Sequence, residues 1–337
     1  MPLRPTLDRR SFLLGLAGTS ALASAAHAQP AWTPPAPDRE LKVPVRGGQI
    51  YVRTNGDLAG PRAPVMFVHG GPGSNHVGFL PSLVLAAERG VILYDQLDSG
   101  FSDRPEDPAN WTVERFVSEV DAIRAALNLR ELHLVGHSWG GTIALEYAGR
   151  APGGLRSVTL GSPLISTKSW EQSTTAQLAK LPPDVQRVIN SHEAAGTTDS
   201  AEYVKAMDVF YARYASRVGA PGYLVEYVKA RGIKRGGTIY NGMWGPGEIR
   251  ATGTLKTYDG EPMLPRVTAP ALVLCGADDE MTADVLRPLT ARMPNARLEV
   301  IPGAGHSLPA THADAYVGLL RRHFARNDAA AALKPAA

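Results

Sequence analysis

Leu132-His133-Leu134-Val135 runs into Gly136-His137-Ser138-Trp139-Gly140-Gly141, and a helical pattern over 142–148 runs out of it. Strand, glycine-rich bend, helix: that order decides the fold. The bend matches G-x-S-x-G, in which a serine is held on a sharp, strained turn at the end of a strand. Glycines are needed because the turn is tight and the helix packs close to the strand. The serine hydroxyl projects from the bend, and the helix N-terminus behind it favours negative charge on an attacked carbonyl. Ser138 is therefore the candidate nucleophile.

Working outward, short apolar runs lie at 49–53, 64–68, 91–94, 132–135, 157–160, 271–274 and 297–301. Several are apolar throughout, as expected of strands covered on both faces. Helical patterns fall between them, at 113–127, 142–148, 284–292 and 313–324, so a mainly parallel sheet with helices on both faces is predicted. One interval breaks the rhythm. Between Pro163 and Pro265 the chain reads as polar and helical stretches with Gly- and Pro-rich joints, and about a hundred residues are too many for a loop. Since strand patterns return after it, the interval reads as a helical cap inserted in the sheet domain. The expected organisation is an α/β-hydrolase core over 46–163 and 266–326, a cap over 164–265, and a flexible tail over 327–337.

The chain has 337 residues, 44% hydrophobic and 20% charged, with a formal charge of +3. That is ordinary globular composition. Residues 1–28 read as an export signal: Arg9-Arg10 precedes an apolar run rich in small residues, and Ala26-His27-Ala28 fits a cleavage site. The paired arginine resembles the twin-arginine signal read by a translocase for folded proteins, which implies a periplasmic or secreted protein. Loss of Arg4, Arg9, Arg10 and Asp8 would leave 32 basic and 31 acidic residues, from 35 and 32. So near-neutral a chain gives no reason to expect a nucleic-acid partner or a stable membrane association. Residues 29–45, with several prolines, read as an extended linker. Cys275, the one cysteine, lies in an apolar run and is expected to be a buried strand residue.

A serine hydroxyl needs a base, and the base needs an orienting carboxylate. In this fold they follow in the order serine, acid, histidine. Asp278 and Asp279 fall in a loop at one strand end, and His306, after Pro302-Gly303-Ala304-Gly305, falls in another. Order leaves the two aspartates open. His312 and His323 read as surface positions of the last helical stretch, and His137 as a packing residue. The oxyanion hole needs two backbone N–H groups: that of Trp139, and one from His69-Gly70-Gly71-Pro72-Gly73, where Gly71 is the candidate and His69 a brace. No nucleotide-binding glycine pattern, metal site or cofactor is apparent.

Taken together, His69–Gly73, Tyr94-Asp95-Gln96, Gly136–Gly141 and Gly305-His306 resemble the proline iminopeptidase family of α/β-hydrolases, serine exopeptidases that release an N-terminal residue. The family's acid loop usually reads G-E-Y-D-E. Laid on Gly276-Ala277-Asp278-Asp279-Glu280, it assigns the acid to Asp279 and implies that Glu280 binds the substrate's free α-amine. A second amine-binding glutamate from the cap is implied at Glu248, within Pro246-Gly247-Glu248. Two carboxylates in a partly buried pocket repel, and an ammonium between them relieves the repulsion. There are departures: Asp98 stands where a glycine is usual and Phe101 where an arginine is usual. The function expected is hydrolysis, through an acyl-enzyme, of a small amide or short peptide next to a free N-terminal amino acid. The rivals are an esterase, lactonase or amidase indifferent to the amine, and a non-catalytic binding protein on the same scaffold.

Overall fold

A computed structural model describes residues 32–216 and 218–332. Its eight strands are β1 (Arg39–Val45), β2 (Gly48–Asn55), β3 (Val65–Val68), β4 (Val91–Tyr94), β5 (Leu132–His137), β6 (Leu155–Gly161), β7 (Ala271–Gly276) and β8 (Ala296–Ile301). They form one sheet in the order β1-β2-β4-β3-β5-β6-β7-β8. From β4 to β8 all neighbours are parallel, whereas β2 runs antiparallel to both β1 and β4.

The uniform apolarity of the central strands has the expected cause. Met66, Val68, Leu134 and Val273 face one apolar layer, while the alternate residues Val65, Phe67, Val135, Leu272 and Leu274 face the other. Side chains alternate along a strand, so burial on both faces removes the polar half of the pattern. The first layer includes residues of α1 (Val113–Ala126), α2 (Trp139–Gly149) and α8 (Ala283–Thr290). The second is closed by α9 (Leu308–Thr311), α10 (Ala313–Ala332) and the short-pitched helix His76–Ala87.

Three expectations change. The stretch read as a linker over 29–45 includes β1, which hairpins onto β2 through Arg46 and Gly47, the latter at φ 97°. As an edge strand carrying Arg39, Glu40, Lys42 and Pro44, β1 has no apolar run to betray it; residues 29–31 lie outside the described part. The tail expected over 327–337 is helical to Ala332, and residues 333–337 lie outside the described part. Asp328 accepts from Arg89 at 2.8 Å and from His133 Nε2 at 3.1 Å, tying α10 to the sheet. His323 is buried rather than on the surface, because it shares the inward stripe of α10 with Tyr316, Leu320 and Phe324. The signal read over 1–28 also falls outside the described residues.

Between β6 and β7 come α3 (Thr167–Leu178), α4 (Pro183–Ala195), α5 (Ala201–Tyr214), α6 (Gly222–Arg231) and α7 (Gly237–Met243). They hold a small apolar cluster of their own that includes Leu178, Ile189, Phe210 and Ile249. A bridge between Ser166 and Asp259 brings entry and exit of this insertion side by side. No helix among the described residues is long and apolar enough to cross a membrane.

Candidate active site

Ser138 sits between β5 and α2 at φ 55°, ψ −123°, a region that non-glycine residues rarely occupy. Its N–H donates to the Gly161 carbonyl at 2.8 Å, and its own carbonyl accepts from Gly141 at 2.8 Å and Leu164 at 3.2 Å. Those bonds over-determine the bend. The glycines are sterically obligatory: a Cβ on Gly136 would lie 2.0 Å from the Gly140 carbonyl oxygen, and one on Gly140 would lie 2.1 Å from that of Val68.

The loop after β3 lies against this bend. A Cβ on Gly70 would stand 2.9 Å from Ser138 Cβ and 3.5 Å from its Oγ. Gly71 has φ 115°, open to glycine. His69 does brace the loop. It accepts from the Gln96 N–H on Nε2 at 3.0 Å, so the other nitrogen, Nδ1, carries the proton and donates to the Gly70 carbonyl at 2.8 Å. Burial pushes the ring's pKa down to about 4, which keeps that tautomer neutral. The Gln96 side chain donates from Nε2 to the His69 carbonyl at 2.7 Å and accepts from Trp139 Nε1 at 2.8 Å, so one side chain joins both loops from which oxyanion donors were expected.

Of the two aspartates left open by order, Asp279 reaches His306. Its Oδ1 accepts from His306 Nδ1 at 2.9 Å and from the Met281 N–H at 3.1 Å. Its Oδ2 accepts from Ser162 Oγ at 2.5 Å and from the Gly276 N–H at 2.9 Å. Burial by itself would raise this carboxyl's pKa, but the His306 ring, the Gly276 N–H and the Ser162 hydroxyl outweigh it and hold the pKa below the ordinary value. Ser162, at φ 42° just past β6, belongs to no motif and could not have been found in sequence.

The cap supports both loops. On α3, Gln177 Nε2 donates to the Asp279 carbonyl at 2.6 Å and Ser173 Oγ to that of Glu280 at 2.6 Å. At the end of α5, the carbonyls of Tyr214 and Ala215 accept from the His306 and Ser307 N–H groups at 2.7 and 2.8 Å. Gly305 permits that approach, since a Cβ there would meet the Tyr214 carbonyl oxygen at 2.6 Å. Packed on the His306 ring are His137, at 4.8 Å between centroids, and Trp170, edge-on at 5.4 Å. Burial first, and the His306 charge second, drive His137 down to about 3, so it stays neutral.

Glu280 and Glu248 are both buried, at 3% and 7% exposure. The Oε2 of Glu248 accepts from the phenols of Tyr211 and Tyr240, each at 3.1 Å. Burial would lower the pKa of His306, yet the charge of Glu280, the charge and hydrogen bond of Asp279, and the charge of Glu248 raise it to about 9. The two glutamates implied by resemblance thus bear on the same imidazole as Asp279. Among the described residues no group of three or more His, Cys, Asp and Glu side chains could hold a metal ion.

A family model described as the α/β-hydrolase fold matches residues 63–313. A proline iminopeptidase of Heyndrickxia coagulans is 41% identical over 264 residues, spanning 78% of this chain and 91% of that protein. One from Lactobacillus helveticus is 33% identical over 294 residues, spanning 86% and 98%. Among solved structures, the proline iminopeptidase of Mycobacterium smegmatis superposes with a TM-score of 0.77 at 31% identity, covering 87% of this chain and all of that one.

Proposed function

The chain belongs to the proline iminopeptidase family of α/β-hydrolases, and from that premise we propose that it is a serine aminopeptidase acting on short peptides, amino-acid amides and arylamides with a free N-terminus. The observation that carries this reading is the pair of buried glutamates beside the Asp279–His306 couple. Carboxylates make strong charge-assisted hydrogen bonds to an ammonium, and the α-ammonium of a substrate whose carbonyl lies at Ser138 is such a group.

In this reading Ser138 Oγ attacks the carbonyl while His306 takes its proton. Asp279 holds the Nδ1–H tautomer, leaving Nε2 as the base, and stabilises the imidazolium that forms. The N–H groups of Gly71 and Trp139 receive the oxyanion. His306 then gives its proton to the leaving amine, and the acyl-enzyme on Ser138 is released by water that His306 activates in turn. Glu248 and Glu280 seat the ammonium, which favours removal of an N-terminal residue over cleavage within a chain.

The test is kcat/KM for prolyl and alanyl p-nitroanilide against their N-acetylated forms and p-nitrophenyl acetate. The free amines should lead by roughly 10²-fold or more, since a charge-assisted contact in a buried site contributes about 2–5 kcal/mol. Glu248→Gln and Glu280→Gln should each erode that lead, and Ser138→Ala should abolish turnover. Equal rates on free and acetylated substrates would refute the amine site and leave an amine-indifferent hydrolase. Export of the folded protein to the periplasm or beyond belongs to the same proposal. It is supported by Arg9-Arg10 and Ala26-His27-Ala28, and replacing both arginines by lysine should retain the protein in the cytoplasm.

A further inference from the structure

Gln96 lies where three strand ends meet. In the sheet β3 is flanked by β4 and β5 and runs parallel to both. Across the sheet, their carboxyl ends release the Asp95-Gln96 loop, the glycine loop and the bend of Ser138 in that order. To touch Trp139, Gln96 must therefore span the glycine loop, and it does so fully buried.

The amide of Gln96 is chemically specified. An indole N–H can only donate and a peptide carbonyl can only accept. Trp139 Nε1 donates to Gln96 Oε1 at 2.8 Å, and Gln96 Nε2 donates to the His69 carbonyl at 2.7 Å. Both partners thus demand the same orientation of one side chain. A carboxylate would serve the indole alone, and an apolar side chain of that length would serve neither.

The glycine loop is fixed one peptide at a time. The Gln96 N–H donates to His69 Nε2 at 3.0 Å, with Ser99 Oγ 3.2 Å from the same nitrogen, so the ring proton sits on Nδ1. The 3.2 Å between Gln96 Nε2 and His69 Nδ1 is then a contact of two donors, each bonded to its own carbonyl. Nδ1–H donates to the Gly70 carbonyl at 2.8 Å, which also accepts from the Ser74 N–H at 3.3 Å. That carbonyl shares a planar trans peptide with the Gly71 N–H, and the two point in opposite directions. Holding the carbonyl on one side therefore aims the N–H on the other. Asp95 secures the far end of the loop, where its Oδ1 accepts from the His76 N–H at 2.8 Å and from His76 Nδ1 at 2.9 Å. On the other flank the Trp139 ring is fully buried, edge-on to Phe116 at 5.7 Å between centroids, and Gln96 holds its one polar atom.

We propose that Gln96 is a positioning residue for the oxyanion hole: it aims the Gly71 N–H through His69 and places the Trp139 N–H through the indole, so that the two donors are held as one unit. Gln96 acts through those residues rather than on the substrate. The proposal rests on the oxyanion donors of the serine hydrolase reading and is independent of the amine site. Oxyanion donors act on charge that develops only in the transition state, so loss of Gln96 should lower kcat and spare ground-state binding.

Gln96→Met keeps the length of the side chain and removes both of its bonds. Counted per site titrated with a fluorophosphonate, kcat should fall roughly ten- to hundredfold on both alanyl p-nitroanilide and p-nitrophenyl acetate, with KM changed by less than about threefold. In boroproline, Ser138 Oγ bonds to boron as its proton passes to His306, and a boron-bound oxygen takes the oxyanion position. Affinity for it should fall in step with kcat/KM, whereas affinity for proline, which forms no adduct, should hold. Trp139→Phe removes only the indole N–H and should lower kcat by more than about threefold, while the double variant should lose little beyond Gln96→Met. A kcat for Gln96→Met within about threefold of wild type, or a loss confined to KM or to the anilide, overturns the proposal and spares the serine hydrolase. Should Gln96→Met not fold, Trp139→Phe decides, and a kcat within about threefold of wild type overturns the proposal. If wild type turns over only the ester, the aminopeptidase reading falls and the ester decides the role of Gln96. If Ser138→Ala keeps its activity, both fall together.

Discussion

Gly140→Ala adds one methyl group where the nucleophile's helix crosses the strand that feeds the glycine loop. The new Cβ would lie 2.1 Å from the Val68 carbonyl oxygen and 2.7 Å from that of His69. Both are backbone atoms and cannot swing aside as a side chain could. Ordinary contact begins near 3.4 Å, so α2 and the end of β3 must part by roughly 1 Å. Alanine's helix propensity favours the substitution by about 1 kcal/mol, whereas overpacking a close-packed site costs about 1–3 kcal/mol. The clash wins, with a net loss of order 1 kcal/mol. The effect on turnover should be larger. The two elements forced apart carry Trp139 and the loop of Gly71, and a displacement of about 1 Å in reacting geometry can cost roughly 10²-fold in rate. The loss should fall on kcat more than on KM, because Glu248 and Glu280 stand on other segments. Gly153→Ala is the matched control, since nothing lies within 4 Å of a Cβ there. Steady-state kinetics on alanyl p-nitroanilide, with urea midpoints for both variants, reads the two effects separately. A Gly140→Ala enzyme with kcat within about threefold of wild type would show that the close approach does not hold the oxyanion donors in place.

Two further outcomes follow from hydrogen-bonded carboxylates away from the reacting atoms. Burial would raise the pKa of Asp328, but its hydrogen bonds to His133 and Arg89 lower it to about 2 from 3.8. A carboxyl lowered on folding contributes stability above its unfolded value and loses it as pH falls. Asp328→Asn should therefore cost roughly 1 kcal/mol at neutral pH, discounted because the group is partly exposed, and progressively less from about pH 4 towards 2; denaturant titrations across that range check it. Asp98, at φ 64°, accepts from Trp111 Nε1 and the Glu106 N–H, each at 2.8 Å. Asp98→Gly would relieve about 1 kcal/mol of backbone strain but strand a buried indole N–H at about 1–3 kcal/mol, so the thermal midpoint should fall by a few degrees.

The departure at Asp98 shows where motif reading stops. The left-handed backbone angle there suits the glycine that the resemblance implies, and only the Trp111 and Glu106 donors explain how an aspartate is tolerated. Ser138, His306, the alternation of strands with helices and the helical insertion after β6 were legible in the chain, because each is written locally as a turn, a period or an order. β1 was not legible, since an edge strand has one polar face and no apolar run. The buried stripe position of His323 and the helical end of α10 were missed for a related reason: a polar residue facing inward looks like surface until its neighbours are known.

What the sequence by itself determined is therefore the serine on its strand–turn–helix, the order of the acid and histidine loops, and the fold these imply, all set by backbone sterics and hydrophobic period over short stretches. What only the tertiary structure decided is which partners meet. It set on His306 the Asp279 that chain order left open and the family resemblance implied, brought Ser162 from the end of β6 to the same carboxylate, and set Gln96 between the two glycine loops. It also drew Glu248 across from the cap to act on His306 with Glu280. Those outcomes depend on charge and hydrogen bonding between residues far apart in the chain, which acquire their distances, and their low dielectric, only when the sheet and the insertion have packed together.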